Sequence, residues 1–289
     1  LAVGPTAKEA GYVFYGTRPH WAPIEPLKEW ARWKLGDENL GYAVQFNIAQ
    51  FGTNSYLRRG LPGAWQSQFG DGLDYLRLVT QRGDFKSNVM GSFNVLELAR
   101  AMHTMPVVLY ASTNKVYGDC CGDARILDGR YAIGNPAGIS EEAPISFETP
   151  YGCSKGAADQ YVLDYARSFG LPAVVFRQSC IYGPQQYGME DQGWVAWFAI
   201  CSEFGKPLTI FGDGNQVRDV LYVDDLLDLY EKAIVNIAQA KGQVFNAGGG
   251  PRNTLSLNEL VALLDRVSGR PLKVSRSDWR PGDQKVFIC

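Results

Sequence analysis

Tyr151 and Lys155 stand four residues apart in Thr149-Pro-Tyr-Gly-Cys-Ser-Lys155, and the residues that follow, through Phe169, read as a helix. Thr149 suits the N-cap, Pro150 the first helical position, and Gly170-Leu-Pro172 ends the run. Positions i and i+4 share one helix face, so the phenol and the ammonium project together. A free tyrosine, with a pKa near ~10, is a poor base at neutral pH. A cation about 5 Å away, at an effective dielectric of about 20, favours the phenolate by roughly 3 kcal/mol, on the order of a hundredfold. Tyr-x-x-x-Lys is therefore a device for taking a proton from an alcohol near neutrality. The spacing alone is common, and a packed tyrosine beside a solvated lysine is its ordinary outcome.

Ser112 and Thr113 close an apolar stretch, Val107-Val-Leu-Tyr-Ala-Ser112, that follows Pro106 and reads as a strand. In an open parallel sheet the carboxyl ends of strands form the ligand crevice, so both hydroxyls are expected to converge with Tyr151 on one alcohol. Ser-Thr after a strand also serves simply as turn chemistry. Arg218, in Gln216-Val-Arg-Asp219, and Arg280, in Trp279-Arg-Pro-Gly-Asp283, carry guanidinium groups suited to clamping a diphosphate.

The elements that must position these groups begin at Asp84. Asp84–His103 reads as an amphipathic helix with Val89, Phe93 and Leu96 on one side. The strand at 107–112, a polar loop from about Cys120 to Pro144, the Tyr151 helix and a second apolar strand, Ala173–Arg177, follow. A short strand at Leu208–Phe211, a helix from about Asp224 to Ile237 and a strand at Gln243–Asn246 continue the rhythm. Ser256 and Glu259 have capping-box spacing, with Gly269 as the stop. Helix–strand alternation with nearly all-apolar strands predicts an α/β fold, a doubly wound parallel sheet covered on both faces. The expected boundaries are a sheet domain over 1–183, with 215–248 returning to it, and a smaller lobe from 184–214 and 249–289. Residues 1–83 are atypical: Trp21, Trp30, Trp33 and Trp65 lie among scattered Gly, Pro and Arg, and only Ile24–Leu35 has helical spacing.

The 289 residues are 46% hydrophobic and 20% charged, the composition of an ordinary globular protein. A net charge of −2 argues against a nucleic-acid partner. With no run of about eighteen apolar residues and no signal-peptide pattern, no membrane role and a cytoplasmic setting are expected. Six cysteines without Cys-x-x-Cys spacing and only two histidines make a structural metal site an unfavourable reading.

Six segments together carry a resemblance. They are Ser112–Gly118, Tyr151–Lys155, Phe176–Pro184, Asp191–Phe198, Val217–Asp225 and Trp279–Gln284, and they resemble the extended short-chain dehydrogenase/reductases in the right order over roughly residues 84–289. That resemblance implies a Rossmann-like fold, NAD as cofactor and a nucleotide-sugar substrate, with epimerisation at C2 of a CDP-hexose the nearest activity. A C4-epimerase or another C2-epimerase acting on a different nucleotide sugar, or a catalytically defective binding member, stays open. It further implies Tyr151 as general acid/base, Lys155 as its partner on the nicotinamide ribose, Thr113 as the catalytic hydroxyl, and Asn88 and Ser112 near the cofactor. Arg218, Arg280 and Asp283 match contacts to the diphosphate and ribose, and Gln192 is assigned to the nucleotide end. Hydride would leave C2 for NAD as Tyr151 takes the hydroxyl proton, and return to the other face once the 2-keto sugar has turned. Dehydratases of this group set an Asp-Glu pair after the threonine; here Asn114-Lys115 stand there, and neither can act as a carboxylic acid. Dimerisation through the helices matching 84–103 and 150–169 is implied as well.

Two features depart from the pattern. No Gly-x-x-Gly-x-x-Gly turn follows an N-terminal strand; Gly11 and Gly16 are the nearest glycines, at the wrong spacing. Cys180 stands where relatives often have Asn. The expectation is an incomplete or frame-disrupted copy, family-like from Asp84 onward.

Overall fold

The computed structural model describes residues 83–119, 124–280 and 282–289, nearly all of them within one unit, Asn88–Cys289. The expectations for Gly11, Gly16, Ile24–Leu35 and the four early tryptophans lie outside the described residues, as do Cys120 and Cys121.

A π-helical stretch, Phe85–Met90, leads into α1 (Gly91–Ala101). Val89 and Leu96 are buried as expected, whereas Phe93 stays at the rim, edge-on to Tyr161 and Tyr165. Strand β1 (Val108–Thr113) runs into a 3₁₀ turn, Asn114–Tyr117. The polar segment expected to be loop contains a hairpin, β2 (Arg125–Leu127) and β3 (Arg130–Ala132). Then come α2 (Pro150–Ser168), β4 (Ala173–Gln178) and β5 (Cys180–Tyr182). The aromatic segment after Gln192 is helical: α3 (Trp194–Phe204) starts and stops at left-handed glycines, Gly193 and Gly205. It carries apolar residues on every side, which erases the amphipathic period that would have announced it. The chain continues through β6 (Leu208–Phe211), β7 (Val217–Tyr222), α4 (Val223–Val235), α5 (Ile237–Ala240), β8 (Val244–Ala247), β9 (Thr254–Ser256), α6 (Leu257–Ser268), β10 (Val274–Ser277) and β11 (Val286–Phe287).

Among the described residues the main sheet is parallel, ordered β1-β4-β8. Its strands alternate by face, as the pleat requires. Ala173 and Val175 pack with Leu96, Val162 and Tyr165 of α1 and α2, while Val174 and Phe176 pack with Leu226, Ala233 and Ala240 of α4 and α5. Helices on both faces make this the doubly wound α/β fold that the alternation predicts. Further strands form a second sheet, β11-β7-β5 with β9 antiparallel on β7, and the parallel pair β10-β6. Of the strands in segment 215–248, β8 joins the main sheet, on which α4 and α5 also pack, whereas β7 is central to the second sheet. The reason is local, because β7 follows the Gly212-Asp-Gly214 turn from β6 and is already flanked on both edges.

Helix α6 carries the capping box read from sequence: Ser256 Oγ accepts from Glu259 N–H at 3.1 Å, and Glu259 Oε2 accepts from Ser256 N–H at 2.6 Å. Ser256 is buried, so water cannot replace its hydroxyl. Ser256→Ala should cost about 1–2 kcal/mol of stability, measurable as a lowered urea midpoint.

Candidate active site

Helix α2 opens as its sequence demands. Thr149 Oγ1 accepts from Gly152 N–H at 3.0 Å, and Pro150 takes the first turn, where no amide hydrogen is needed. Gly152 lets that first turn press against the 3₁₀ turn after β1: a Cβ there would lie 2.7 Å from the carbonyl oxygen of Lys115. Tyr151, Lys155 and Asp159 then recur at every fourth position on one face. Tyr151 is 44% exposed and lines a cavity of about 430 Å³.

Lys155 sits deeper. Its ammonium rests 4.5 Å from the ring centroid of Tyr110, whose hydroxyl donates to the Lys155 carbonyl at 3.3 Å. Burial brings its pKa from the usual 10.5 down to about 8, against an opposing pull from the Asp159 carboxylate. Among the described residues no carboxylate lies within ion-pairing distance of it.

The two hydroxyls at the end of β1 do not converge as expected. Neighbouring strand residues face opposite ways. Ser112 turns inward, where its hydroxyl donates to Asp159 Oδ2 at 2.9 Å. Thr113 caps the 3₁₀ turn, accepting from Lys115 N–H at 3.2 Å and donating to Asn114 Oδ1 at 3.3 Å. Asn88 donates to Ser154 Oγ at 2.9 Å, and so braces the face of α2 next to Lys155.

The two expected arginines line the same cavity as Tyr151. Arg218 pairs with Asp283 Oδ1 at 3.1 Å and donates to the carbonyls of Val217 and Gln284. Arg280 pairs with Asp191 at 3.0 Å and lies 3.8 Å over the Phe211 ring. Gln192 and Asp283 also line this space. Lys115, which the sequence does not single out as a lining residue, joins them: its ammonium donates to the Gly282 carbonyl at 3.2 Å and is 3.9 Å from Asp283. Burial, and then Arg218, hold its pKa below the ordinary lysine range, with Asp283 opposing. Cys180 also lines the cavity, and burial raises its thiol. Asp159 and Arg177 are further residues that the sequence reading misses. Their signal is there: an arginine closing an all-apolar strand needs a buried carboxylate, and Asp159 continues the Tyr151–Lys155 spacing.

This arrangement, a tyrosine and a lysine one turn apart beside a cavity holding three cations, coincides with a family. Residues 76–248 match the NAD dependent epimerase/dehydratase family. The chain belongs to that family. It is 45% identical over 213 residues to CDP-paratose 2-epimerase of Salmonella typhi, covering 71% of this chain and 63% of that protein. Among solved structures, UDP-glucose 4-epimerase of Thermus thermophilus in complex with NAD is 27% identical, with a TM-score of 0.59 over 71% of this chain and 61% of that one. UDP-glucose 4-epimerase of Thermotoga maritima with UDP-glucose is 29% identical, with a TM-score of 0.59 over 72% and 62%. The chain thus spans a little under two thirds of the relatives it matches. For this epimerase/dehydratase member, the close approach at Gly152 is testable. Gly152→Ala should lower stability by about 1–3 kcal/mol through overpacking while far-ultraviolet circular dichroism keeps its helical signal.

Proposed function

We propose that this protein epimerises a nucleotide sugar at C2 of a CDP-hexose, converting CDP-paratose to CDP-tyvelose through a transient 2-keto sugar with NAD. One observation carries the reading: Tyr151 opens onto the same cavity as Arg218 and Arg280, in a chain 45% identical to a CDP-paratose 2-epimerase. The cavity, about 430 Å³, is within the range that takes a small nucleotide ligand.

The residues present fit the nicotinamide-ribose end of NAD. Lys155 offers a half-buried ammonium with no carboxylate at bonding distance among the described residues, able to hold ribose hydroxyls, and Asn88 is bonded to the adjacent Ser154. When bound, NAD supplies reversible acceptance of a hydride. Everything else falls to the chain. Tyr151 as phenolate takes the C2 hydroxyl proton while the C2 hydrogen departs with its electron pair, leaving the ketone; after the sugar turns, the phenol gives the proton back. Lys155, as a cation one helical turn away, stabilises the phenolate between these steps. Thr113 sits at the β1 end, where its hydroxyl would hold the sugar oxygen. Arg218 and Arg280 would exchange Asp283 and Asp191 for diphosphate oxygens, and Asp283, once released, would meet the ribose. Gln192 is assigned to the nucleotide end. Asn114 and Lys115, lacking carboxyl groups, cannot run the elimination of a dehydratase.

A second reading, C4 epimerisation of a UDP-sugar, is favoured by the likeness to the two UDP-glucose 4-epimerases. Two further features complete the proposal: a homodimer paired through α1 and α2, and a cytoplasmic setting, for which the observation is that no described helix is long and apolar enough to cross a membrane.

The deciding experiment incubates the chain and NAD with CDP-paratose or, separately, UDP-glucose, and follows the sugar by proton NMR. CDP-tyvelose should accumulate only in the first; UDP-galactose in the second would decide for the C4 reading, and neither product would end both. Tyr151→Phe should reduce turnover by about 10²–10⁴-fold. The pH profile has a defined sign. Lys155 is charged below its pKa of about 8 and neutral above it, so kcat/KM should decline as pH rises through about 8.

A further inference from the structure

Behind the cavity, the polar groups at the end of the main sheet form one row. Ser112 of β1 is the register partner of Arg177 of β4, and Arg177 that of Asn246 of β8. Side chains in one register row of a parallel sheet share a face, here the face covered by α2. Asp159 descends onto this row from α2, one turn beyond Lys155. Its carboxylate accepts from Ser112 Oγ at 2.9 Å, from Arg177 Nε at 2.9 Å and from Arg177 Nη2 at 3.2 Å, and also from Gln160 Nε2 at 3.0 Å. Arg177 Nη1 donates to the Tyr117 hydroxyl at 3.0 Å, and that hydroxyl donates to Asn246 Oδ1 at 2.8 Å. Asp159 is wholly buried and Arg177 is 3% exposed. Neither lines the cavity.

We propose that Asp159 and Arg177 are a positioning pair for the Tyr151–Lys155 dyad, fixing the rotation of α2 over β1 and β4 and supplying the countercharge for Lys155. The proposal rests on the acid–base reading of those two residues. A two-pronged guanidinium–carboxylate contact tolerates little sliding or rolling, because both partners lose solvation and neither has water to fall back on. Helix rotation is what decides whether Tyr151, two turns earlier on the same face, points into the cavity. The charges around Lys155 leave the second role to Asp159. From β1 it meets the Tyr110 ring; β4 contributes Arg177, which is bonded to Asp159; the 3₁₀ turn contributes Tyr117, bonded to Arg177. The carboxylate of α1 is Glu97, which is taken up by Arg100 and Tyr165 farther along the helix. Asp159 stands one turn from Lys155 on the same helix face, and its carboxylate favours the ammonium against the burial that disfavours it.

The test reads Lys155 without turnover, so its failure is separate from failure of the proposed reaction. Trace acetylation of the full chain at a series of pH values, with mass spectrometry of the Lys155 peptide, gives the titration midpoint of that residue. The wild-type midpoint should be near 8. Asp159→Asn alone strands a buried guanidinium, so the informative variant is the double Asp159→Asn/Arg177→Met, in which both charges leave together. Its Lys155 midpoint should fall below the wild-type value, and Asp159→Glu, which keeps the charge, should hold it. An unchanged midpoint in the folded double variant overturns the proposal, and so does loss of the wild-type midpoint in Asp159→Glu. In the chain that turns over, the double variant should also lose about tenfold or more in kcat, with KM for the nucleotide sugar little altered because Arg218 and Arg280 are untouched. A raised KM with kcat retained would equally overturn it.

Discussion

A carboxylate and a guanidinium, both withdrawn from water, hold α2 to the sheet. Asp159 and Arg177 meet at 2.9 Å with side chains that are 0% and 4% exposed. Removing either ion from water costs several kcal/mol, which is recovered only if every remaining donor and acceptor finds a partner. The surroundings meet that condition through Ser112, Tyr117 and Asn246, one group from each neighbouring element. The constraint reaches in two directions. Toward the helix N-terminus it fixes the face that carries Lys155 and Tyr151. Across the sheet it requires polar residues at one register row of three strands that are otherwise apolar toward α2.

The cavity depends on a second set of contacts, between the end of the chain and the turn after β1. Gln284, fully buried, donates through Nε2 to the Gly118 carbonyl and accepts from Asn114 Nδ2 at 3.4 Å. Lys115 reaches the Gly282 carbonyl, and Arg218 holds the Gln284 carbonyl at 2.6 Å. These bonds set Asp283 between Lys115 and Arg218, so the cations facing Tyr151 are already partnered by carboxylates. The cations of such a site are already engaged, and an anion that enters it must offer better geometry than the resident carboxylates. A diphosphate does, with more oxygens to share between two guanidinium groups.

Lys155 stands one helical turn from Tyr151 on one side and from Asp159 on the other. It is half-buried and its ammonium lies against the Tyr110 ring, a contact that tolerates a cation without neutralising it. The lowered proton affinity there and the hydrogen-bonded row behind it are two consequences of one arrangement. A desolvated lysine remains useful as a cation only with a negative charge close by. Asp159, one turn along the same helix face, supplies one.

Much of this was determined by sequence alone. The Tyr151–Lys155 spacing, the Thr149 cap with Pro150 after it, the apolar strands at β1 and β4 and the Ser256–Glu259 box are short-range patterns, and short-range physics fixes them: helical period, amide bookkeeping at helix ends and the alternation of a pleat. The doubly wound sheet followed from their order. What the tertiary structure decided involves partners far apart in the chain. Ser112 and Thr113 are neighbours in sequence, yet the pleat sends one to Asp159 and leaves the other to cap a turn. The helical state of Trp194–Phe204 has no period to read, because the segment carries apolar residues on every side. Strand β11, two residues long, exists only because β7 offers it an edge. Arg177, closing an apolar strand, and Asp159, continuing the dyad's spacing, each carried a signal in the sequence, but only burial made them a pair, since two charges separated by 18 residues have no reason to meet until water is excluded from between them.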